Sequence, residues 1–204
     1  MGQDGRGSAL GQGSIPARRA CGKIEGAGGR LAFVCARAGA AGASGLVRGR
    51  TKRIWITNSY CTPTDDQVEQ LTKAVRRGVD VRLILPGKHD DQPLTKSAGR
   101  SAYSKLLEGG VKIFEYEPTM IHIKSMVVDG EFAMIGSSNF DARSAEINEE
   151  LDVVVYDRDF GARMEEVFQR DLARCREYTL AQFRGRSLRE RFTEWVALPF
   201  RSQL

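Results

Sequence analysis

Two apolar runs of strand length, MIHIKSMVVD and EFAMIGSS, meet at Asp129-Gly130. An Asp-Gly pair favours the tight turn between antiparallel strands, because both central residues of that turn need a left-handed backbone that Asp tolerates and Gly adopts freely. The pair therefore predicts a hairpin across residues 120–138. Side chains alternate faces along a strand, so His122 and Lys124 project together while Ile121 and Ile123 face the opposite layer. The return strand brings Ser137 and Asn139 back beside the imidazole and the ammonium.

Around this hairpin, strand-like runs alternate with helical stripes, the pattern of an α/β layered fold. RIWIT at 53–57 and VDVRLILP at 79–86 read as buried strands. Between them Thr64 or Asp65 caps a helix with apolar positions Val68, Leu71 and Val75, closed by Gly78. A helix near 99–108 ends at Gly109-Gly110 and leads into the strand VKIFEY; ELDVVVYD is a further strand. An amphipathic segment capped by Asp157 or Asp159 runs to about Tyr178, with Phe160, Met164, Val167, Phe168 and Leu172 on its apolar side. Near the C-terminus, Leu188, Phe192, Trp195, Val196 and Leu198 form a short stripe, read as a core or dimer-packing helix in preference to a membrane-surface one.

Residues 1–50 break this pattern. They hold thirteen of the 22 glycines and almost no periodic apolar spacing. They read as a disordered arm, or as the non-native or truncated start of a chain. The domain begins near Thr51 and runs to 204. The arm also carries the charge: eight basic residues against Asp4 and Glu25 leave it at +6, and with a total of +5 the rest stands at −1. A near-neutral body argues against a nucleic-acid enzyme, which needs a basic groove.

Cys21, Cys35, Cys61 and Cys175 form no C-x-x-C pair and have no histidine close by, so neither a metal site nor a cofactor is expected. No run reaches the roughly 18 apolar residues of a membrane span. The opening residues lack the basic-then-apolar layout of a secretory signal. The expectation is a soluble or peripheral protein.

The polar residues of the hairpin suit phosphate chemistry. Lys124 neutralises phosphoryl oxygens, while Ser137 and Asn139 hydrogen-bond them. His122 is the nucleophile or proton carrier, and Glu150 the candidate acid that orients its ring. Asp129 supports the turn. Glu146, Glu149 and Asp152 read as a solvated edge. His89 lies in the loop leaving the second strand, a place where α/β sites collect.

Six fixed identities at these offsets arise by chance at about one in 10⁷ to 10⁸ per starting position. The pattern H-x-K-x-x-x-x-D, then G-S-x-N six residues on, resembles the phospholipase D superfamily signature at His122, Lys124, Asp129, Gly136, Ser137 and Asn139, with Glu150 as its downstream glutamate. The stretches IWITNSYCTPTDDQVEQLTKAVRRGVDVRLILPG and SAYSKLLEGGVKIFEYEPTMIHIKSMVVDG are similar to the second catalytic half of bacterial cardiolipin synthases. The resemblance implies a phospholipase D-like α/β fold, a mixed sheet flanked by helices, with one motif-bearing half-domain. It implies His122, Lys124, Asp129 and Glu150 as catalytic residues and Lys124, Ser137 and Asn139 as phosphate ligands. Asn58, Tyr60 and Pro63 would lie on the loop entering the cleft. The reaction implied is phosphatidyl transfer through a phosphohistidine on a phosphatidylglycerol-like lipid, without metal, at the cytoplasmic face of the cell membrane.

That mechanism uses two copies of the motif, and this chain has one. The second comes from a homodimer partner, as in small single-copy nucleases, or from a missing first catalytic half. The competing readings are a single-motif phosphodiesterase or nuclease, a phospholipase D hydrolase, and an inactive fragment of a two-motif synthase.

Overall fold

The hairpin forms where Asp129-Gly130 places it. In the computed structural model, which describes residues 21–25, 31–36, 51–91 and 93–197, Asp129 and Gly130 take positive φ of 53° and 67°. They join β7 (Lys124–Val128) to β8 (Phe132–Gly136). A second clamp holds the turn: the Asp129 carboxylate accepts the backbone N–H of Arg53 at 2.7 Å and of Lys52 at 3.0 Å. Those residues open β3 (Arg53–Asn58), which pairs antiparallel with β7 so that Asn58 lies opposite Lys124.

Beyond β3 the pairing turns parallel. β5 (Asp80–Pro86) and β6 (Lys112–Tyr116) follow in order, and helices α1 (Asp65–Arg76) and α2 (Pro93–Glu108) make the two crossovers. Of the two capping candidates, Thr64 is the cap. Its Oγ1 accepts the Gln67 N–H while Gln67 Oε1 accepts the Thr64 N–H, a reciprocal capping box. On the other side, β10 (Leu151–Tyr156) pairs with β8, and α4 (Arg158–Leu172) starts from Asp157 as cap.

Alternation along the strands separates two cores. Ile54, Ile56, Leu83, Met126 and Val128 pack with Leu71 and Leu106 beneath α1 and α2. Trp55, Ile84, Val127 and Phe168 pack beneath α4, where the Trp55 and Phe168 rings stack at 5.0 Å. The fold is thus a mixed α/β three-layer arrangement, and Lys124 lies on the α1/α2 face of its strand.

Three expectations change. The segment from 159 to 178 is not one helix: α4 stops at Leu172, and β11 (Cys175–Tyr178) adds antiparallel to β6 as an edge strand. An ion-pair set favours the strand, since buried Glu115 of β6 accepts from Arg176 of β11 at 2.8 Å and from Arg100 of α2 at 3.3 Å. The arm is not disordered throughout. Its most apolar stretch, β2 (Leu31–Ala36), pairs with β1 (Cys21–Glu25) and extends the open edge of β10. The sheet order is therefore β1-β2-β10-β8-β7-β3-β5-β6-β11, seven of its strands belonging to residues after 50; the remaining arm residues lie outside those described. Third, the C-terminal stripe is not core. Helices α5 (Leu180–Arg184) and α6 (Leu188–Ala197) follow β11, and Leu188, Phe192, Trp195 and Val196 of α6 are all exposed; Leu198 lies outside the described residues.

Candidate active site

Lys124, the first residue of β7, is nearly buried, with 9% of its surface exposed. Its Nζ donates to His122 Nε2 at 2.8 Å and to Ser59 Oγ at 3.1 Å. A protonated amine can only donate, so the imidazole nitrogen facing it carries a lone pair. The ammonium also lies 5.4 Å from the centre of the Tyr60 ring, which meets the His122 ring edge-on at 5.8 Å. Burial pulls the Lys124 pKa below its ordinary value, against the opposing charges of Glu150, Asp141 and Asp91. His122 itself is exposed, on the extended segment just before β7.

One strand over, Gly136, Ser137 and Ser138 are stitched to Glu150 and Asp152. Gly136 pairs with Asp152 so closely that a β-carbon there would lie 2.0 Å from Asp152 Oδ1 and 2.4 Å from the Leu151 carbonyl. Ser137 Oγ donates to Glu150 Oε2 at 2.5 Å and accepts the Leu151 N–H at 3.0 Å. Ser138 Oγ donates to Asp152 Oδ2 at 2.5 Å. Glu150 Oε1 accepts from Ser144 Oγ at 2.8 Å and from Asn148 Nδ2 at 3.2 Å. Asn139 donates its backbone N–H to Ser144 Oγ at 3.0 Å, and its side-chain Oδ1 is buried without a hydrogen bond among the described residues.

The predicted residues divide accordingly. His122, Lys124 and Tyr60 form one contact cluster; Ser137 and Glu150 form a second, coupled to Lys124 through the charge of Glu150. Glu150 does not orient His122 within this chain, because its hydrogen bonds go to Ser137, Ser144 and Asn148. Asn58 is a clamp: its Oδ1 accepts the N–H of Tyr60 and of Phe140, joining β3 to β9 (Phe140–Asp141), which pairs with the short β4 (Cys61–Thr62). His89 sits on an exposed turn, and its loop reaches the cluster through Asp91, whose carboxylate accepts the Tyr60 hydroxyl at 3.0 Å.

Asp129 is not brought into either cluster. It stands at the far end of β7, five residues and about 17 Å of extended chain from Lys124. Asp129→Ala is therefore expected to lower stability by about 2 kcal/mol through the lost Lys52 and Arg53 hydrogen bonds, measured by denaturant midpoint. Turnover of the fully folded variant should stay within a few-fold of the parent; a large loss there would give Asp129 a catalytic part.

Asp152 is no solvated edge but fully buried. Sequence reasoning also passed over Ser59, which holds Lys124, and Ser144, which holds both Glu150 and Asn139. Asp141 caps the short helix α3 (Ala142–Glu146) by accepting the Ser144 N–H at 2.7 Å, and burial raises its pKa. Single serines carry little signal in a sequence. Among the described residues, no group of three or more His, Cys, Asp and Glu is placed to hold a metal ion.

Residues 48–172 match the family described as cardiolipin synthase, PLD-like domain. The chain belongs to this family. Among curated relatives, cardiolipin synthase 2 of Bacillus anthracis is 37% identical over 149 residues, 73% of this chain and 29% of that protein. Cardiolipin synthase A of Cronobacter sakazakii is 41% identical over 121 residues, 59% of this chain and 25% of that protein. The chain thus spans less than a third of the length of the curated relatives it matches.

Two solved structures share the phospholipase D-like fold. Nuc, a phospholipase D family member from Salmonella typhimurium, aligns with a TM-score of 0.63 at 19% identity, over 74% of this chain and 99% of that one. A phosphatidylserine synthase from Haemophilus influenzae aligns with a TM-score of 0.65 at 14% identity, over 83% of this chain and 45% of the other.

Proposed function

We propose that this chain supplies one catalytic half of a phosphatidyltransferase of the cardiolipin synthase type. The observation that carries the reading is the buried Lys124 set against His122, in a chain of this family. A phosphodiester entering the cluster offers its anionic oxygens to the Lys124 ammonium. Drawing the ammonium toward phosphate frees the His122 nitrogen that it caps, so binding and activation of the nucleophile are one event.

In the first half-reaction the His122 nitrogen attacks phosphorus. A P–N bond forms, the P–O bond to the leaving glycerol breaks, and the leaving oxygen takes a proton from a general acid. In the second, the hydroxyl of another phospholipid returns its proton to that group and attacks phosphorus, and the P–N bond breaks. The general acid is a second motif's histidine, given by a second copy of the chain or by a separate first half. The reading puts the protein peripherally at the cytoplasmic face of the cell membrane; no helix among the described residues is long and apolar enough to cross one.

The test is mass-resolved size in solution together with turnover of phosphatidylglycerol micelles. A dimer that forms cardiolipin, or releases a head group, supports a composite site between two copies. A monomer active only after addition of a separate first-half domain makes the chain one half of a larger synthase. No turnover under either condition overturns the reading, and DNA cleavage in its place would move the assignment to a nucleic-acid phosphodiesterase.

A further inference from the structure

The apolar stripe of α6 has a layout that its exposure alone does not convey. At about 100° per residue, Leu188, Phe192, Trp195 and Val196 fall within an arc of about 100°. Arg189 and Arg191 flank that arc, one on each side, and Glu190 lies opposite its centre. The rear face is tied down: Glu190 accepts the Ser187 N–H at 2.9 Å and approaches Arg100 of α2 at 3.6 Å. The front is open to solvent, with Leu188 81% and Trp195 67% exposed. Neither Arg189 nor Arg191 forms an ion pair among the described residues.

Like-signed cations along both edges of an exposed apolar stripe are complementary to an anionic bilayer: the stripe enters the acyl boundary while arginines on each side meet the phosphate plane. We propose that α6 lies in the surface of an anionic phospholipid bilayer, with Leu188, Phe192, Trp195 and Val196 inserted and Arg189 and Arg191 on lipid phosphates. It rests on the phospholipid reading above for its lipid, and on the helix for its geometry.

The chain carries its own reporter. Of its two tryptophans, Trp55 is buried against Phe168, so an environment change on docking is read from Trp195. The experiment uses the full chain with His122→Ala, so that no lipid is consumed, and vesicles of phosphatidylglycerol mixed with phosphatidylcholine, or of phosphatidylcholine alone. The expected result is co-sedimentation with the anionic vesicles and a blue shift of tryptophan emission, both weakening as salt rises. Arg189→Ala with Arg191→Ala should weaken partitioning by about 25-fold, roughly fivefold per arginine. Phe192→Glu should abolish the shift.

Three results overturn the inference. One is no partitioning. Another is partitioning that is the same on neutral vesicles and indifferent to these variants. The third is Trp195 already shielded from quencher without lipid, which would mean a second copy covers the face if shielding grows with protein concentration, or the chain's own residues if it does not. A chain that docks but turns over no lipid when His122 is intact leaves this inference standing and removes the enzymatic one. Turnover of micelles without docking does the reverse.

Discussion

Replacing His122 by Ala is expected to lower phosphatidyl turnover by about four orders of magnitude or more while leaving the fold intact. The side chain is exposed, precedes β7, and among the described residues hydrogen-bonds to Lys124 alone, so little packing depends on it. The denaturant midpoint should correspond to a change of less than about 0.5 kcal/mol. Residual turnover within tenfold of the parent would place the nucleophile elsewhere. Lys124→Met is the instructive contrast. It should cost about 10²- to 10³-fold in turnover, the range for removing one preorganised charge from a transition state. Yet it should raise stability, because it replaces a desolvated ammonium with a side chain suited to its buried surroundings. A variant that lost both turnover and stability would make Lys124 a structural residue.

The pH dependence follows from the same burial. The folded-state pKa of Lys124 lies below the ordinary 10.5 because desolvation disfavours the ammonium, an effect only partly offset by Glu150, Asp141 and Asp91. A folded state that binds its proton less readily than the unfolded chain is penalised while both are protonated. The penalty disappears as pH rises from the lowered folded value to the unfolded one. Stability therefore gains a rising contribution in that alkaline window, and Lys124→Met should flatten it. Turnover, which in the proposed mechanism needs the charged amine, should fall on the alkaline side at lower pH than a solvated lysine would dictate.

The layered fold was legible because its signals are local. Asp129-Gly130 specifies its own turn, Thr64 and Gln67 cap within one helical turn, and strands such as DVRLILP carry a continuous apolar run in their second half. Edge elements were not legible in the same way. Cys175–Tyr178 becomes a strand because Glu115, sixty residues away in sequence, needs Arg176, and nothing in CREY itself announces that. The motif residues could be found by spacing, but spacing does not say which of them meet. Asp129 and Lys124 flank one strand, Asp129 in the turn after β7 and Lys124 at its start, whereas Ser59 and Lys124 meet only because Asn58 lies opposite Lys124 in the β3–β7 register. The likeness of Asp152 to its charged neighbours hid its burial, which depends on the partner Ser138.

Gly136 shows how tightly the Ser137–Glu150 and Ser138–Asp152 contacts are tied to the backbone, and Gly136→Ala should disable the site without removing any functional group. The added methyl would enter the Asp152 carboxylate at 2.0 Å, the Leu151 carbonyl at 2.4 Å and the Asp152 Cα at 2.7 Å. Relief requires β8 and β10 to part locally, at a cost of about 2–3 kcal/mol. It also displaces Ser137 from Glu150 and Ser138 from Asp152, since both hydrogen bonds cross that same pair of strands. Turnover of the folded variant should fall by about 10²-fold, the penalty for misplacing positioning groups by about 1 Å. Trimming the obstructing side chain with Asp152→Ala should not rescue it, because two of the three close approaches are to backbone. Full rescue by that double change would show that only the carboxylate imposes the glycine, and that the strand spacing at the site is adjustable.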